Sequence, residues 1–292
     1  MGVLNHIDIL TLLKEKEEYK LLDSLSEIND TWCIPGEPIE TLIDRVNLDQ
    51  KYIKNKKIIT CNSEEVKDYN VERHPFIWPK KVNSYTIDLQ KEHKEKKFVS
   101  MMILRTKTRE ALANNLLKYK EFGYYNFSGN SNIETTTWSQ SHLPSEYHSA
   151  IWEFGIETGG YRDESYMYTV ISEKTWRPIK FGKPFLVFGY PGMYKRLKSY
   201  GFILSKDVNY EFDDDLPNRF KLFCNEVERI INIENYDSMV QDALYNKEIF
   251  DKLCIESTVN IEHTILQLAP EHLKFFLKHK GHHLLKSFWG QV

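Results

Sequence analysis

The sequence predicts an α/β fold, a doubly wound parallel sheet built in two domains. Three observations carry that expectation. From about residue 98 onward, strand-like and helix-like segments alternate, which favours parallel strands joined by crossover helices. The run Tyr168–Gly189 reads as strand, charge pair, short helix and buried strand in immediate succession. The length of 292 residues fits two domains. The charged stretch Gln90–Lys97 marks the boundary, giving a small N-terminal domain over 1–96 and a larger one over 97–292. The last helices of the larger domain can pack back on the smaller one.

Each element has its own local reason. Residues 8–28 carry a helical apolar pattern (Ile9, Leu12, Leu13, Leu21, Leu22, Leu25, Ile28). Lys57–Cys61 reads as a short strand, and Asn62-Ser63 starts a helix through Glu64, Glu65 and Val66. His74–Pro79 is extended or turn-like, because proline restricts the residue before it. Phe98–Leu104 is a strand and Thr108–Tyr119 a helix with Ala111, Leu112, Leu116 and Tyr119 on its apolar side. Tyr124–Phe127 and Ile151–Ile156 are strands. Tyr168–Ile171 is β-branched and aromatic, Ser172 suits an N-cap, and Gly182 suits the left-handed stop of a helix. Pro178 should shorten or kink that helix. Pro184–Phe188 is a buried strand, Met193–Tyr200 a helix stopped by Gly201, and Phe202–Leu204 a further strand. Asn218–Ile233, Asn235–Leu253 and Ile261–Leu277 are helical, the last broken near Pro270.

Composition excludes several classes. Hydrophobic residues make up 41%, enough for packed cores, and the net charge of −3 is no footprint of strong nucleic-acid binding by the whole chain. The charge is uneven: 4 Lys/Arg face 11 Asp/Glu in residues 1–50, 12 face 7 in 51–97, and 23 face 24 thereafter. The Lys-rich segment (Lys51, Lys54, Lys56, Lys57, Lys80, Lys81, Lys94, Lys96, Lys97) reads first as a solvated face. Its sharper reading is a surface for an anionic acceptor. Cys33, Cys61, Cys224 and Cys254 form no C-x-x-C pair, so neither a zinc knuckle nor a thioredoxin motif is expected. With no signal peptide and no apolar run of about 18 residues, a cytoplasmic protein without a membrane span is expected.

In the run Tyr168–Gly189, Glu173 and Lys174 fall in the first helical turn at the C-terminal edge of a parallel sheet. Open α/β folds bind nucleotides at that edge. A helix N-terminus and a lysine can hold a phosphate there, and a carboxylate can accept ribose hydroxyls. Considered alone, the pair is equally a set of dipole-compatible first-turn charges. Asp213-Asp-Asp215 has the composition of a divalent-cation motif, but it precedes Leu216-Pro217 and a long helix and reads better as a helix-entry cluster. His279, His282 and His283 form a near-terminal polar cluster with no carboxylate or cysteine partner to fix a metal. Tyr190-Pro-Gly-Met-Tyr194 could stack a base or sugar, and a packing role fits it better.

The C-terminal two-thirds resembles the catalytic domain of the α-1,3-fucosyltransferases and their bacterial and viral relatives, which are GT-B glycosyltransferases. Three blocks carry the likeness in the family's order. The first is Phe98-Val-Ser-Met-Met-Ile-Leu-Arg-Thr-Lys-Thr-Arg109, followed by Leu116-Leu-Lys-Tyr119 and Tyr125-Asn-Phe-Ser-Gly129. It is similar to the family's strand, arginine-bearing helix start and L-x-K-Y helix leading to a glycine turn. The second, Phe154-Gly-Ile-Glu-Thr158, is similar to the F-E-N-S strand end. The third, Ser172-Glu-Lys174 with Gly182-Lys-Pro-Phe185, is similar to T-E-K … G-x-x-P-V. Together they cover about residues 98–205. The chain departs from the pattern at Thr158, where an asparagine is usual, and at Val170, where a tyrosine is common.

The resemblance implies a GT-B-like arrangement of two Rossmann-like domains around a nucleotide-sugar cleft. It implies an inverting transfer of a sugar from a nucleotide-diphosphate donor, a GDP-sugar such as GDP-fucose, to an acceptor hydroxyl on a glycan or lipid-linked saccharide. No cofactor and no essential metal are expected, since cationic side chains and helix N-termini would stabilise the departing diphosphate. Arg105, Arg109 and Lys174 are the candidate cations, with arginine offering a rigid fork to phosphate. Ser172 and Glu173 complete the helix start, Glu173 for ribose hydroxyls, and Glu157 would face the same cleft from its own strand end. Lys107 and Arg177 suit ordinary surface roles. A general base should come from the N-terminal domain, with Glu37, Glu40, Glu64 and Glu65 as candidates and Asp8 behind them. Two alternatives stay open at this point: transfer to a hydroxylated base in DNA, and a non-catalytic α/β module that keeps a nucleotide crevice.

Overall fold

The structure, a computed structural model, describes residues 3–5, 31–34, 57–60, 70–73, 79, 82–89, 93–102, 106–127, 130–134, 142–157 and 171–268. It is a mixed α/β protein whose sheets are predominantly parallel. The chain divides into two compact units, Met1–Ile77 with Glu256–Val292, and Trp78–Ile255.

In the first unit, strands β1 (Val3–Asn5), β2 (Thr31–Ile34), β3 (Lys57–Thr60) and β4 (Asn70–Arg73) form one sheet in the order β1-β2-β3-β4. All three neighbouring pairs are parallel, with Thr31 opposite Lys57 and Lys57 opposite Asn70. The sequence points to β3 alone. All four strands, β3 included, are only three or four residues long, too short for an alternating pattern to emerge. The helix expected over 8–28, the helix start at Asn62-Ser63 and the proline-rich residues 74–78 lie outside the described residues.

In the second unit, β5 (Thr86–Ile87) pairs with β9 (His142–Leu143), and five strands make the main sheet. These are β6 (Lys96–Met102), β7 (Gly123–Phe127), β8 (Asn130–Ser131), β10 (Ala150–Ile156) and β11 (Phe185–Phe188). Their order is β11-β10-β6-β7-β8, parallel throughout except for the edge strand β8. Residues 98–102 of β6 are all buried, as a strand covered on both faces requires. From β6 the chain turns one way, through helix α1 (Lys107–Leu117), to β7, and the later strands β10 and β11 lie on the opposite side. The order therefore reverses between β6 and β10, and in open α/β sheets that reversal opens a crevice at the strands' C-terminal ends.

The α-helices that follow are α2 (Ser145–His148), α3 (Glu173–Lys180), α4 (Met193–Ser199), α5 (Arg219–Asn232) and α6 (Asp237–Leu268). The helix stops follow the glycines as expected: Gly182 has φ 61° after α3 and Gly201 has φ 95° after α4. Pro178 does not break α3, which runs through it for two more residues. Two expectations fail. Phe202–Leu204 is not a strand, because the Asn246 side chain on α6 takes both backbone groups of Ile203, at 2.7 and 2.8 Å, that a ladder would have used. The helices expected over 235–253 and from 261 are one, since residues 254–260 contain neither glycine nor proline to stop it. No helix of the described residues is long and apolar enough to cross a membrane.

Side chains alternate across β10. Trp152 and Phe154 stack on one face, with Phe154 against Phe98 of β6 at 5.5 Å. Glu153 and Glu157 project to the other, where α3 packs. Two lysines of the basic segment belong to the fold: Lys97 donates to the carbonyls of Ile231 and Ile233 at the end of α5 (2.7 and 3.2 Å), and Lys96 to that of Glu121 (2.5 Å). Gly123 sits opposite Phe98, and a Cβ there would lie 2.1 Å from the ring of that fully buried residue. Because Phe98 is held by Phe154, Gly123→Ala should destabilise the protein by about 1–3 kcal/mol in urea denaturation through overpacking.

Candidate functional site

Helix α3 is fastened to β10 by two buried carboxylates four residues apart on one strand face. At its N-terminal end, Glu157 accepts the Ser172 N–H at 3.0 Å, the Thr175 hydroxyl at 2.7 Å and a short hydrogen bond from the Ser172 hydroxyl. Glu157's own N–H donates to the Phe188 carbonyl, tying the end of β10 to β11. Further down the helix, Arg177 forks onto Glu153, its Nε 3.1 and 3.3 Å from the two oxygens and its Nη2 closer still. Glu153 also accepts the Tyr147 hydroxyl at 2.5 Å. Burial opposes the Arg177 charge, but Glu153 outweighs it and raises the pKa above the ordinary arginine value. Lys183 completes the cluster, donating to the Ala150 carbonyl beneath the Tyr147 ring. Its burial, opposed by Glu153, pushes its pKa down to about 8.

Ser172, with extended backbone, is the N-cap expected of it, and its hydroxyl accepts from the Lys174 N–H. Glu173 and Lys174 therefore lie in the first turn, at the C-terminal edge of the sheet. Lys174 Nζ is 2.7 Å from Glu173 Oε1, 3.1 Å from Ser172 Oγ and 4.0 Å from Glu157 Oε2. Burial alone would raise the Glu173 pKa; Lys174, with Arg177 behind it, overrides this and brings it down to about 2. From the other side of the switch point comes Arg109 on α1. Thr106 caps that helix by accepting the Arg109 N–H at 3.2 Å, and Arg109, Leu112 and Leu116 share its buried side. The Arg109 guanidinium donates to the Ile156 carbonyl at the end of β10, 3.2 Å away. Burial lowers its pKa while the nearby charges of Glu157 and Glu173 work to raise it.

Of the sequence candidates, Arg109, Glu157, Ser172, Glu173 and Lys174 thus converge where β6 and β10 diverge. Arg105 lies outside the described residues, as do Glu37, Glu40, Glu64, Glu65, Asp8 and the His279, His282, His283 cluster. In sequence, Glu37 and Glu40 follow the C-terminal end of β2 by a few residues, and Glu64 and Glu65 follow that of β3. Arg177, expected on the surface, is buried in the Glu153 pair. Nothing local in the sequence marks that pair, whose members are 24 residues apart.

The acidic triplet is a folding device. Asp213 accepts the N–H groups of Tyr194 and Lys195, each at 3.1 Å, and so caps α4, while Asp214 pairs with Lys195 at 2.6 Å. Among the described residues no three His, Cys, Asp or Glu side chains converge as metal ligands. The aromatic turn is a packing element: Tyr194 is buried, and its hydroxyl exchanges hydrogen bonds with the backbone of Val187. Comparison with protein-family models and with curated proteins finds no match for this chain.

Two outcomes follow from this electrostatic arrangement. Arg177→Met leaves Glu153 buried without its cation and should cost about 3–5 kcal/mol in urea denaturation, with a large part regained in the double variant carrying Glu153→Leu. Because the Glu173 pKa is depressed in the folded state, its contribution is fully present above the unfolded value of 4.5 and is lost as pH falls towards 2. Glu173→Gln should therefore lose less stability than wild type between pH 4.5 and 2, measured as the difference between paired denaturation curves.

Proposed function

We propose that this protein is a glycosyltransferase that moves a sugar from a nucleotide-diphosphate donor to an acceptor hydroxyl. The single observation that carries the reading is the convergence of Arg109, Glu157, Ser172, Glu173 and Lys174 at the switch point of a parallel sheet. The motif likeness to the α-1,3-fucosyltransferases supports it and favours a GDP-sugar donor, an inverting displacement and a GT-B pairing of two Rossmann-like domains.

In this proposal each side chain has a separate duty. Lys174, which keeps 17% of its side chain exposed, meets the diphosphate and stabilises the charge that grows on it as the sugar leaves. The start of α3 adds its dipole to the same charge. Glu173, ionised and acceptor-only, takes ligand hydroxyls. Arg109, buried and bonded to the Ile156 carbonyl, holds the two sides of the crevice together and supplies positive charge behind Lys174. Glu157 is a positioning residue, since its carboxylate is occupied with Ser172 and Thr175. In the proposed reaction Lys174, Arg109 and the start of α3 stabilise the diphosphate locally, and no essential metal is invoked. The acceptor's proton needs a general base, for which Glu37, Glu40, Glu64 and Glu65, outside the described residues, remain the candidates.

A thermal-shift screen against GDP, UDP, ADP and their sugars tests the reading, because a ligand selective for the folded state raises the melting temperature. One nucleotide family should do so, and Lys174→Ala should weaken its binding about tenfold or more in calorimetry, as expected for loss of a charged hydrogen bond. No shift with any of them overturns the proposal. Release of free nucleotide from the nucleotide sugar, with an acceptor present, distinguishes the transferase from a binding module.

A further inference from the structure

We infer that the Tyr85 hydroxyl and the Glu173 carboxylate form a pair that binds one hydroxyl group of the ligand. This inference rests on the nucleotide-sugar reading of the site and names a residue that neither the motifs nor the charge pattern mark.

Glu173, Arg177 and Lys180 are spaced i, i+4, i+7 and so share one face of α3. The segment carrying Tyr85 is pinned across that face. Lys180 Nζ donates to the Tyr85 carbonyl at 2.6 Å and also to that of Asn83. The Tyr85 N–H in turn donates to Val82 at 2.9 Å. From this anchor at the foot of the helix, Arg177 and Glu173 lie about one and two turns further along the same stripe, towards the helix N-terminus. Its electrostatics agree: burial, then the Glu173 charge, push its pKa up to about 12, while Arg177 pulls it down. Tyr85 is 3% exposed, and its hydroxyl has no hydrogen-bond partner. Burying a hydroxyl without a partner is unfavourable, and such groups ask for an explanation.

Protonation states select the missing partner. Tyr85 remains a phenol at neutral pH and can donate, while Glu173 is ionised and can only accept. The two do not bond to each other. A group between them must accept from the phenol and donate to the carboxylate. A hydroxyl does both; a phosphate oxygen only accepts and is repelled by Glu173. The ligand hydroxyl belongs to the ribose or to the transferred sugar.

Isothermal titration of wild type and Tyr85→Phe with GDP, UDP and ADP, their 2′-deoxy and 3′-deoxy counterparts and their sugars tests this. The variant should bind the cognate ligand roughly three- to tenfold more weakly. If the contact is to ribose, the loss appears with the diphosphate and vanishes with one deoxy counterpart. If it is to the sugar, the loss appears only with the nucleotide sugar. The melting temperature of the unliganded variant should equal or exceed that of wild type, since no internal bond is broken. Unchanged affinities in Tyr85→Phe overturn the inference and leave the nucleotide-sugar reading standing. A lower unliganded melting temperature also overturns it, because the hydroxyl then has a structural partner. Absence of wild-type binding to every ligand overturns the nucleotide-sugar reading and the inference together.

Discussion

The pair of carboxylates on one face of β10 is the constraint from which the candidate site follows. Four strand residues span about 13 Å, whereas the five residues from Ser172 to Arg177 rise only about 7.5 Å along a helix. Glu157 reaches the start of α3 through the short side chains of Ser172 and Thr175. Glu153 needs the long arm of Arg177 to close the difference. The helix must therefore run antiparallel to the strand, with its N-terminus at the strand's C-terminal end. That orientation puts Glu173 and Lys174 at the sheet edge. A buried acid without its full set of donors is strongly unfavourable, so alternative placements of α3 are penalised. The gain is in specificity of placement more than in net stability.

The same constraint accounts for Pro178. Its missing N–H removes one bond late in α3, in a helix whose position is fixed by Ser172, Thr175 and Arg177 rather than by its own ladder. Gly182 then ends the helix by a left-handed residue, and the Lys183 N–H returns to the Pro178 carbonyl at 2.9 Å. Short, irregular and polar on its sheet-facing side, α3 is stabilised by tertiary contacts.

What was legible in the sequence is what local chemistry decides. Ser172 as a cap, Gly182 and Gly201 as stops and the apolar runs of β6, β7, β10 and β11 depend on neighbours a few residues away. So does the placement of Glu173 and Lys174 in a first turn. The Glu153–Arg177 pair was not legible: in sequence Glu153 is an acid interrupting an apolar strand, and Arg177 is one of several helix charges. Tyr85 lies in a stretch without periodicity. The loss of the strand at Phe202–Leu204 was likewise decided by Asn246, more than forty residues away. These misses are long-range polar contacts, which no window of periodicity can contain.

Glu173 and Lys174 pair with each other, and the four charges Arg109, Glu157, Glu173 and Lys174 sum to zero. A diphosphate entering such a site, as proposed, meets no strong excess of positive charge. It must take Lys174 away from Glu173. Once Lys174 turns to the diphosphate, Glu173 loses its partner and gains by accepting ligand hydroxyls. The two halves of a nucleotide diphosphate therefore assist each other: the phosphates free the carboxylate, and the hydroxyls compensate it. A ligand with only one half would leave an ionised side chain partly buried and unpaired, which is costly. On this reasoning the ion pair is a lock that favours intact nucleotide diphosphates over free phosphate or nucleoside. The selectivity arises from breaking an internal bond rather than from a surplus of contacts.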